Sequence, residues 1–434
     1  MITVRHLALG QKLCRHLSFG ACLTLVACAA APLRDSARVA SPAAAVNVAQ
    51  PAATPLVAGN DAHLLIDGPQ TEAAMLQAIA KARHQIDLES YIVEPIDIGE
   101  RLASLLEARR AAGVAVRVLY DSIGSLATPA AYFERLRAAG IATCEFNPIN
   151  PLQLRDNPRL SINNRDHRKV LIIDGQVAFT GGVNISGVYS ASSFGHRHEK
   201  EARESGWRDT HVLVRGPVVE QFQRLFEDTW HSQDCSLNGQ VVPPHRPAAV
   251  AGDMTMRLVA ADPARERSEL YVALLSAIEG AERRIWLTYG YFVPDERLVQ
   301  ALQAAARRGV DVRLALPGFS DFWAPFHAGR SRYAALLKAG VHIFERRDAL
   351  LHAKTAVIDG VWSSVGSTNL DWRSFVHDYE ADVLVLDRRF AGEMEQLFRR
   401  DEAASQEVGI REWRRRSIAD HFLEWLARGW EYLL

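Results

Sequence analysis

One short pattern occurs twice in this chain, once in each half, with the same internal spacing. His167, Lys169 and Asp174 are followed by Gly181-Gly182-Val183-Asn184, and His352, Lys354 and Asp359 by Gly366-Ser367-Thr368-Asn369. A single H-x-K is common by chance and reads as a surface strand carrying an ion pair. Two copies that also share the downstream Asp and Gly-x-x-Asn make coincidence a poor explanation. Residues 166–174 (DHRKVLIID) and 351–359 (LHAKTAVID) are each an apolar, partly β-branched run closed by Asp-Gly, the pattern of a strand and turn. Residues two apart on a strand face the same side, so each His and Lys should project together from one surface. Asp174 and Asp359 lie at odd spacing from the lysines and should point away, fixing the strand end or pairing with a buried base. Two imidazoles, two ammonium groups and two carboxamides match one phosphodiester approached from opposite faces. The pattern points to phosphoryl transfer at a single site assembled from two half-sites.

The repetition extends beyond the motif, as internal symmetry requires. Residues 80–93 (AKARHQIDLESYIV) match 279–293 (EGAERRIWLTYGYFV), 111–120 (AAGVAVRVLY) match 307–316 (RRGVDVRLAL), and 136–146 (LRAAGIATCEF) match 336–346 (LLKAGVHIFER). Each half reads as helix and strand three times over, then the His-bearing strand. Strands alternating with helices predict an α/β fold with helices on both faces of a sheet. Halves of about 180 residues are of ordinary domain size.

This arrangement resembles the phospholipase D superfamily, whose hallmark is a duplicated H-x-K-x4-D with a trailing G-[GS]-x-N. Finer features are similar to the bacterial cardiolipin synthase branch: Glu89 in DLESYIV, GYFVPD at 290–295, GGVN at 181–184, WRDTHVLVRGP at 207–217 and GSTNLDWRS at 366–374. One departure is Gly182, where many members carry Ser, as at Ser367. The resemblance covers residues from about 61 to 400. It implies two pseudo-symmetric phospholipase D-like α/β/α sandwich domains packed around one shared active site. It also implies a phosphatidyltransferase, most like cardiolipin synthase, working without a cofactor or metal through a covalent phosphatidyl-histidine. The alternative is a phospholipase D-type hydrolase, with water as acceptor.

By the same resemblance the catalytic set is the duplicated motif itself: His167, Lys169, Asp174, His352, Lys354 and Asp359. His167 is the nucleophile and His352 the acid/base. Asn184, Asn369 and Ser367 would hold phosphate oxygens together with the lysines. Asp209 and Glu380, at matching places in RDTHVLV and YEADVLV, would orient the imidazoles; acids on a solvated strand edge are their structural alternative. The implied substrates are phospholipids, phosphatidylglycerol with a second phosphatidylglycerol or phosphatidylethanolamine. One complete site per chain requires no dimer.

Other chemistries find no support. His196-Arg197-His198-Glu199 sits in a charged stretch without a partner cluster and reads as a solvated loop rather than a metal site. There is neither a Gly-rich phosphate cradle nor a Gly-x-Ser-x-Gly elbow. A formal net charge of −1 gives no general basic field and counts against a nucleic-acid partner.

The ends of the chain speak of a membrane. Arg5, Lys12 and Arg15 precede an apolar run from Leu17 to Ala27 that is too short to span a bilayer. It closes on Leu25-Val26-Ala27-Cys28, which looks like a lipoprotein lipobox with Cys28 the lipidated residue of the mature chain. Residues 1–27 are thus expected to be a signal peptide and 28–60, rich in Ala and Pro, a tether. Residues 61–247 and 248–400 are the two catalytic domains, and 401–434 an amphipathic Trp/Arg-rich tail. The expected place is the bacterial envelope, facing the periplasm. Ala29 and Ala30 carry no acidic retention cue, which tilts toward the outer membrane while leaving the choice open. Once the leader is gone and Cys28 modified, Cys144 and Cys235 remain, and their pairing is not set by sequence. In the tail, Trp413, Ile418, Phe422, Trp425, Leu426, Trp430 and Leu433 recur at helical spacing behind Arg411 and Arg414–Arg416. That suits a membrane interface, or a helix packed on the protein's own core.

Overall fold

A computed structural model describes residues 54–149, 163–193, 206–244, 246–263 and 267–430. The leader, Cys28, most of the tether and the 196–204 charged stretch lie outside the described residues.

The first half runs β1 (Val57–Ile66), α1 (Asp67–Lys81), β2 (Gln85–Ser90), α2 (Ile98–Ala111), β3 (Ala115–Asp121), α3 (Ala130–Ala138), β4 (Ala142–Phe146), a two-residue β5 (Arg165–Asp166), β6 (Lys169–Ile173), β7 (Val177–Gly181), β8 (Thr210–Arg215) and α4 (Val219–Ser232). The second repeats it: β9 (Met254–Asp262), β10 (Arg267–Ser268), α5 (Glu269–Gly280), β11 (Arg284–Tyr289), α6 (Glu296–Arg307), β12 (Asp311–Pro317), α7 (Trp323–Arg330), α8 (Tyr333–Ala339), β13 (His342–Arg346), β14 (Lys354–Ile358), β15 (Trp362–Gly366), β16 (Asp378–Leu386) and α9 (Arg388–Ala403). β17 (Ser405–Glu407), α10 (Ile410–Trp413) and α11 (Ile418–Arg428) follow.

The ladders of the two halves correspond strand for strand. In the first, β4–β3–β2 are parallel neighbours and β2–β6–β7–β8–β1 antiparallel ones. In the second, β13–β12–β11 are parallel and β11–β14–β15–β16–β9 antiparallel. β2, β3 and β6 are buried along their whole length, as strands covered on both faces must be. The side-chain alternation sorts their two faces. Ile86, Leu88, Val116 and Val118 join the core beneath the outer helices. Asp87 and Arg117, directly opposite each other in the ladder, face inward and form a two-pronged ion pair at 2.7 and 2.9 Å. Removing one partner of such a pair strands a buried charge.

The inward faces of both sheets, with Phe222, Phe226 and Trp230 of α4 and Phe390, Met394 and Phe398 of α9, form one continuous apolar core. The sheets also touch as strands. β1 pairs with β9, β5 runs parallel to the start of β16, and Arg208 bridges Leu351. The two lobes therefore share a core and a backbone hydrogen-bond network.

Cys144 on β4 and Cys235 just past α4 form a disulfide, with Cα atoms 5.6 Å apart across 91 residues of sequence. A closed loop of that order restricts the unfolded chain by roughly 4–5 kcal/mol in a chain-entropy treatment. Two boundaries differ from the sequence expectation. β1 begins at Val57, inside the stretch read as tether, because it is the strand that joins the two sheets. The tail is not a separate appendage: β17 pairs with β13, and Trp413 is buried in the core under the outer helices of the second lobe.

Candidate active site

Neither histidine lies on the strand that carries its lysine. β6 begins at Lys169 and β14 at Lys354, so His167 and His352 occupy segments just ahead of them. The reading of His and Lys as side-by-side residues of one strand is corrected here. The reason is long-range: the opposite lobe claims the main chain of each histidine. His167 N donates to Tyr379 O at 3.0 Å, and His352 N donates to Arg208 O at 2.8 Å. Each residue leaned upon directly precedes a carboxylate, Glu380 or Asp209.

The imidazoles are consequently oriented across the lobes. His167 Nδ1 lies 3.0 and 3.1 Å from the two Glu380 oxygens, and His352 Nδ1 lies 2.8 Å from Asp209 Oδ2. With Nδ1–H donated to the carboxylate, Nε2 is left as the reactive nitrogen of each ring. Lys169 Nζ and Lys354 Nζ each donate to the carbonyl of their own histidine. His167 also lies in the field of Lys354 and His352, while His352 feels Lys169. Each lobe thus supplies part of the other's half-site.

Burial and these neighbours set the charges. Burial, then Lys169 and Lys354, holds His167 well below the usual histidine range. Burial and Lys354 lower His352 also, but hydrogen bonding to Asp209 and its charge oppose them. Burial drives Lys169 down to about 7 and Lys354 to about 8. The two carboxylates part company. Burial would raise Asp209, yet its hydrogen bond from His352 and the nearby cations prevail, and its pKa is lowered. Burial dominates at Glu380, which rises to about 7.

The walls differ as well. Tyr189, Trp207 and Tyr291 surround His352, with ring centroids 6.2, 5.3 and 5.9 Å away, and Tyr189 Oη reaches its Nδ1 at 3.2 Å. Among the described residues, His167 meets one ring edge-on, that of Tyr91, at 5.0 Å. On its side stand Arg373 and Asp378, paired at 3.3 Å. Sequence reasoning missed Tyr189. Its only signal is its offset past Asn184, which equals that of Ser374 past Asn369, and the residue types differ.

The remaining predicted residues divide. Asn184 and Asn369 are both buried. The Asn184 carboxamide bonds Ile92 N and Tyr189 Oη, whereas Asn369 Oδ1 has no partner among the described residues. The Ser367 hydroxyl accepts from the Ala381 N–H at 3.0 Å and hydrogen-bonds the Glu380 carboxylate, so it braces the group that orients His167. Gly182 has a steric cause: a Cβ there would stand 2.1 Å from Asp209 Oδ1. Gly290 similarly lets the end of β11 pass over His352, where a Cβ would come within 2.7 Å of its Cα.

Asp174 and Asp359 do not join the site, correcting their place in the catalytic set. They sit past the far ends of β6 and β14 at φ 54° and 53°. Asp174 accepts the backbone N–H groups of Arg83, His84 and Gln85, and Asp359 those of Glu282, Arg283 and Arg284. Each ties the end of its strand to the start of β2 or β11.

Comparison with known proteins agrees with this architecture. The family described as cardiolipin synthase, phospholipase D-like domain, matches residues 75–230 and 274–402. Cardiolipin synthase A of Pseudomonas aeruginosa is 36% identical over 354 residues, covering 82% of this chain and 69% of that protein. Cardiolipin synthase of Geobacillus thermodenitrificans is 38% identical over 336 residues, 76% of this chain and 64% of that one. Among solved structures, phosphatidylserine synthase of Haemophilus influenzae shares the fold at a TM-score of 0.61 and 14% identity, covering 88% of this chain and 98% of that one. With both half-sites, the duplicated sheets and these relatives in agreement, the chain belongs to the cardiolipin synthase family of phospholipase D-like enzymes.

Proposed function

We propose that this enzyme is a cardiolipin synthase that transfers a phosphatidyl group from one phosphatidylglycerol to a second phospholipid alcohol. The observation that carries the reading is the exchange of orienting carboxylates between lobes, which engages Nδ1 of each imidazole and leaves both Nε2 atoms for one phosphodiester. His167, kept neutral by burial and flanking cations, attacks phosphorus through Nε2 as the bond to the departing glycerol oxygen breaks. That oxygen takes its proton from His352. The acceptor hydroxyl then gives its proton to His352 as its oxygen attacks phosphorus, and the phosphorus–nitrogen bond breaks. Ionised Asp209 supports a positive His352, the part an acid/base needs. Glu380, with a pKa raised to about 7, is basic enough to take up the Nδ1 proton as His167 bonds phosphorus, which suits a nucleophile. Lys169, Lys354 and the two asparagines surround the developing charge on the non-bridging oxygens.

The aromatic wall of His352 favours a lipid alcohol over water as acceptor. Incubating the purified chain with phosphatidylglycerol should yield cardiolipin and glycerol; phosphatidic acid as the sole product would make it a hydrolase instead. The envelope reading belongs here too. The lipobox at Cys28 and the Cys144–Cys235 disulfide, a bond characteristic of oxidising compartments, support a periplasm-facing lipoprotein. Cells fed labelled palmitate should label the wild-type chain and not Cys28→Ser; equal labelling removes the anchor.

A further inference from the structure

The helix α11 is docked inside out. Its side against the protein is small or charged: Ala427 is buried among Val293, Ala324 and Ala328, and Glu424 is held by Arg416. Its bulky face points outward, leaving Phe422 58% and Trp425 68% exposed. A helix packed for stability alone buries its large apolar side chains and shows its polar ones. The capping box of Ser417 and Asp420 fixes the helix start, so the outward face is a built feature of an ordered element.

That face does not stand alone. α7, on which α11 rests, begins beside Phe322 and Trp323, 40% and 46% exposed. They follow Asp321, which accepts the Tyr291 hydroxyl at 2.7 Å, and Tyr291 is the ring beside His352. The first lobe repeats the arrangement. Ile123 and Leu126, 39% and 57% exposed, flank Ser125, whose hydroxyl donates to the carbonyl of Tyr91, the ring beside His167. Each lobe thus carries exposed apolar side chains one contact from the aromatic residue that touches its histidine. They stand in the loops after β3 and β12 or, for Trp323, at the start of α7, at the carboxyl ends of the parallel strands, where α/β sheets hold their ligands. Arg411, Arg414 and Arg415 are exposed just ahead of α11.

We infer that these side chains form a single seat for an anionic lipid surface, with α11 lying in the interface beside the mouth of the active site. The inference rests on the catalytic reading above and adds where the bilayer meets the enzyme. Aromatic residues beside arginines are the composition of interfacial helices, and the arginines complement phosphatidylglycerol head groups. A lipid drawn from the leaflet would enter between the two apolar rims without crossing water.

The test uses the full chain on vesicles of brominated phosphatidylglycerol, whose acyl bromines quench nearby tryptophan. Residues 1–60 contain no tryptophan, so a lipidated leader alone gives no signal. Wild-type emission should be quenched, more strongly than on brominated phosphatidylcholine, and Trp323→Phe/Trp425→Phe should lose most of that quenching. Absence of quenching in the wild type, or equal quenching in the variant, overturns the seat. So does conversion of a wild-type dimer to monomer by Phe422→Ser/Trp425→Ser on sedimentation, which would make the face a contact between copies. Turnover in the same samples separates the two readings. Quenching without cardiolipin formation strikes the catalytic reading and leaves the seat, whereas cardiolipin formation without quenching does the reverse.

Discussion

A lysine in water titrates near 10.4, yet burial brings Lys169 to about 7 and Lys354 to about 8. Each must be charged to hold a phosphodiester, and the charged form exists below its pKa. The rate constant kcat/KM, which reports the free enzyme, should therefore fall as pH rises, steepening between those two values. The lowered pKa of His352 acts in the same direction, since its protonated form is the acid of the first step. His167 must be neutral, and its depressed pKa keeps that condition satisfied well below 6.5. Glu380 must be ionised to accept the His167 Nδ1–H, and its pKa of about 7 sets the acid limb, so the optimum should lie near neutrality. Lys354→Arg, which stays charged throughout, should remove the upper step and keep the lower one; an unchanged profile would mean that lysine titration does not shape the limb. The same residues show what a sequence reveals. Residue types and spacing disclosed both lysines and both histidines, because the chemistry demands those groups. It disclosed neither the dual use of Tyr189 nor the commitment of Ser367 to Ala381, because a hydroxyl's partner depends on which strand lies beside it.

At the scale of elements, the motif aspartates govern stability. Asp359 accepts three backbone N–H groups at the turn into β11, and these outweigh the burial that would otherwise raise its pKa. Its folded value is depressed, so its contribution is present above the ordinary carboxylate pKa and is lost as pH falls through the lower one. Asp359→Ala should reduce unfolding free energy by about 1–3 kcal/mol, with kcat changed far less than by any histidine substitution. Chemical denaturation and kinetics on the same samples would measure both; a collapse of kcat at unchanged stability would return the residue to catalysis. Helices and strands such as 80–93 and 279–293 were legible because hydrophobic periodicity is a local property. The positions of His167 and His352 ahead of their strands are not legible, for the converse reason. Pairing of β5 with β16 and of Arg208 with Leu351 joins residues far apart in sequence, and neither segment has enough periodicity to announce it.

The whole molecule divides its labour across the lobe boundary rather than within each lobe. Asp209 of the first lobe serves His352 of the second, and Glu380 serves His167. If His352 is the acid, Asp209→Asn should slow reaction of phosphatidylglycerol by up to about 10⁴, the loss seen when a carboxylate that orients a catalytic imidazole is neutralised. A p-nitrophenyl phosphodiester needs little help from an acid, because its leaving group departs as a stable anion. Its pre-steady-state burst should survive Asp209→Asn nearly intact, while release of the intermediate to an alcohol acceptor stays slow. Glu380→Gln should instead depress the burst itself, whichever leaving group is used, since it disturbs the nucleophile. Rapid-quench measurement of p-nitrophenol distinguishes the two variants. A burst lost in Asp209→Asn and kept in Glu380→Gln would exchange the roles of the histidines. Equal loss in both would mean that the lobes do not specialise, and that the unlike electrostatics of the two carboxylates have no bearing on the order of attack.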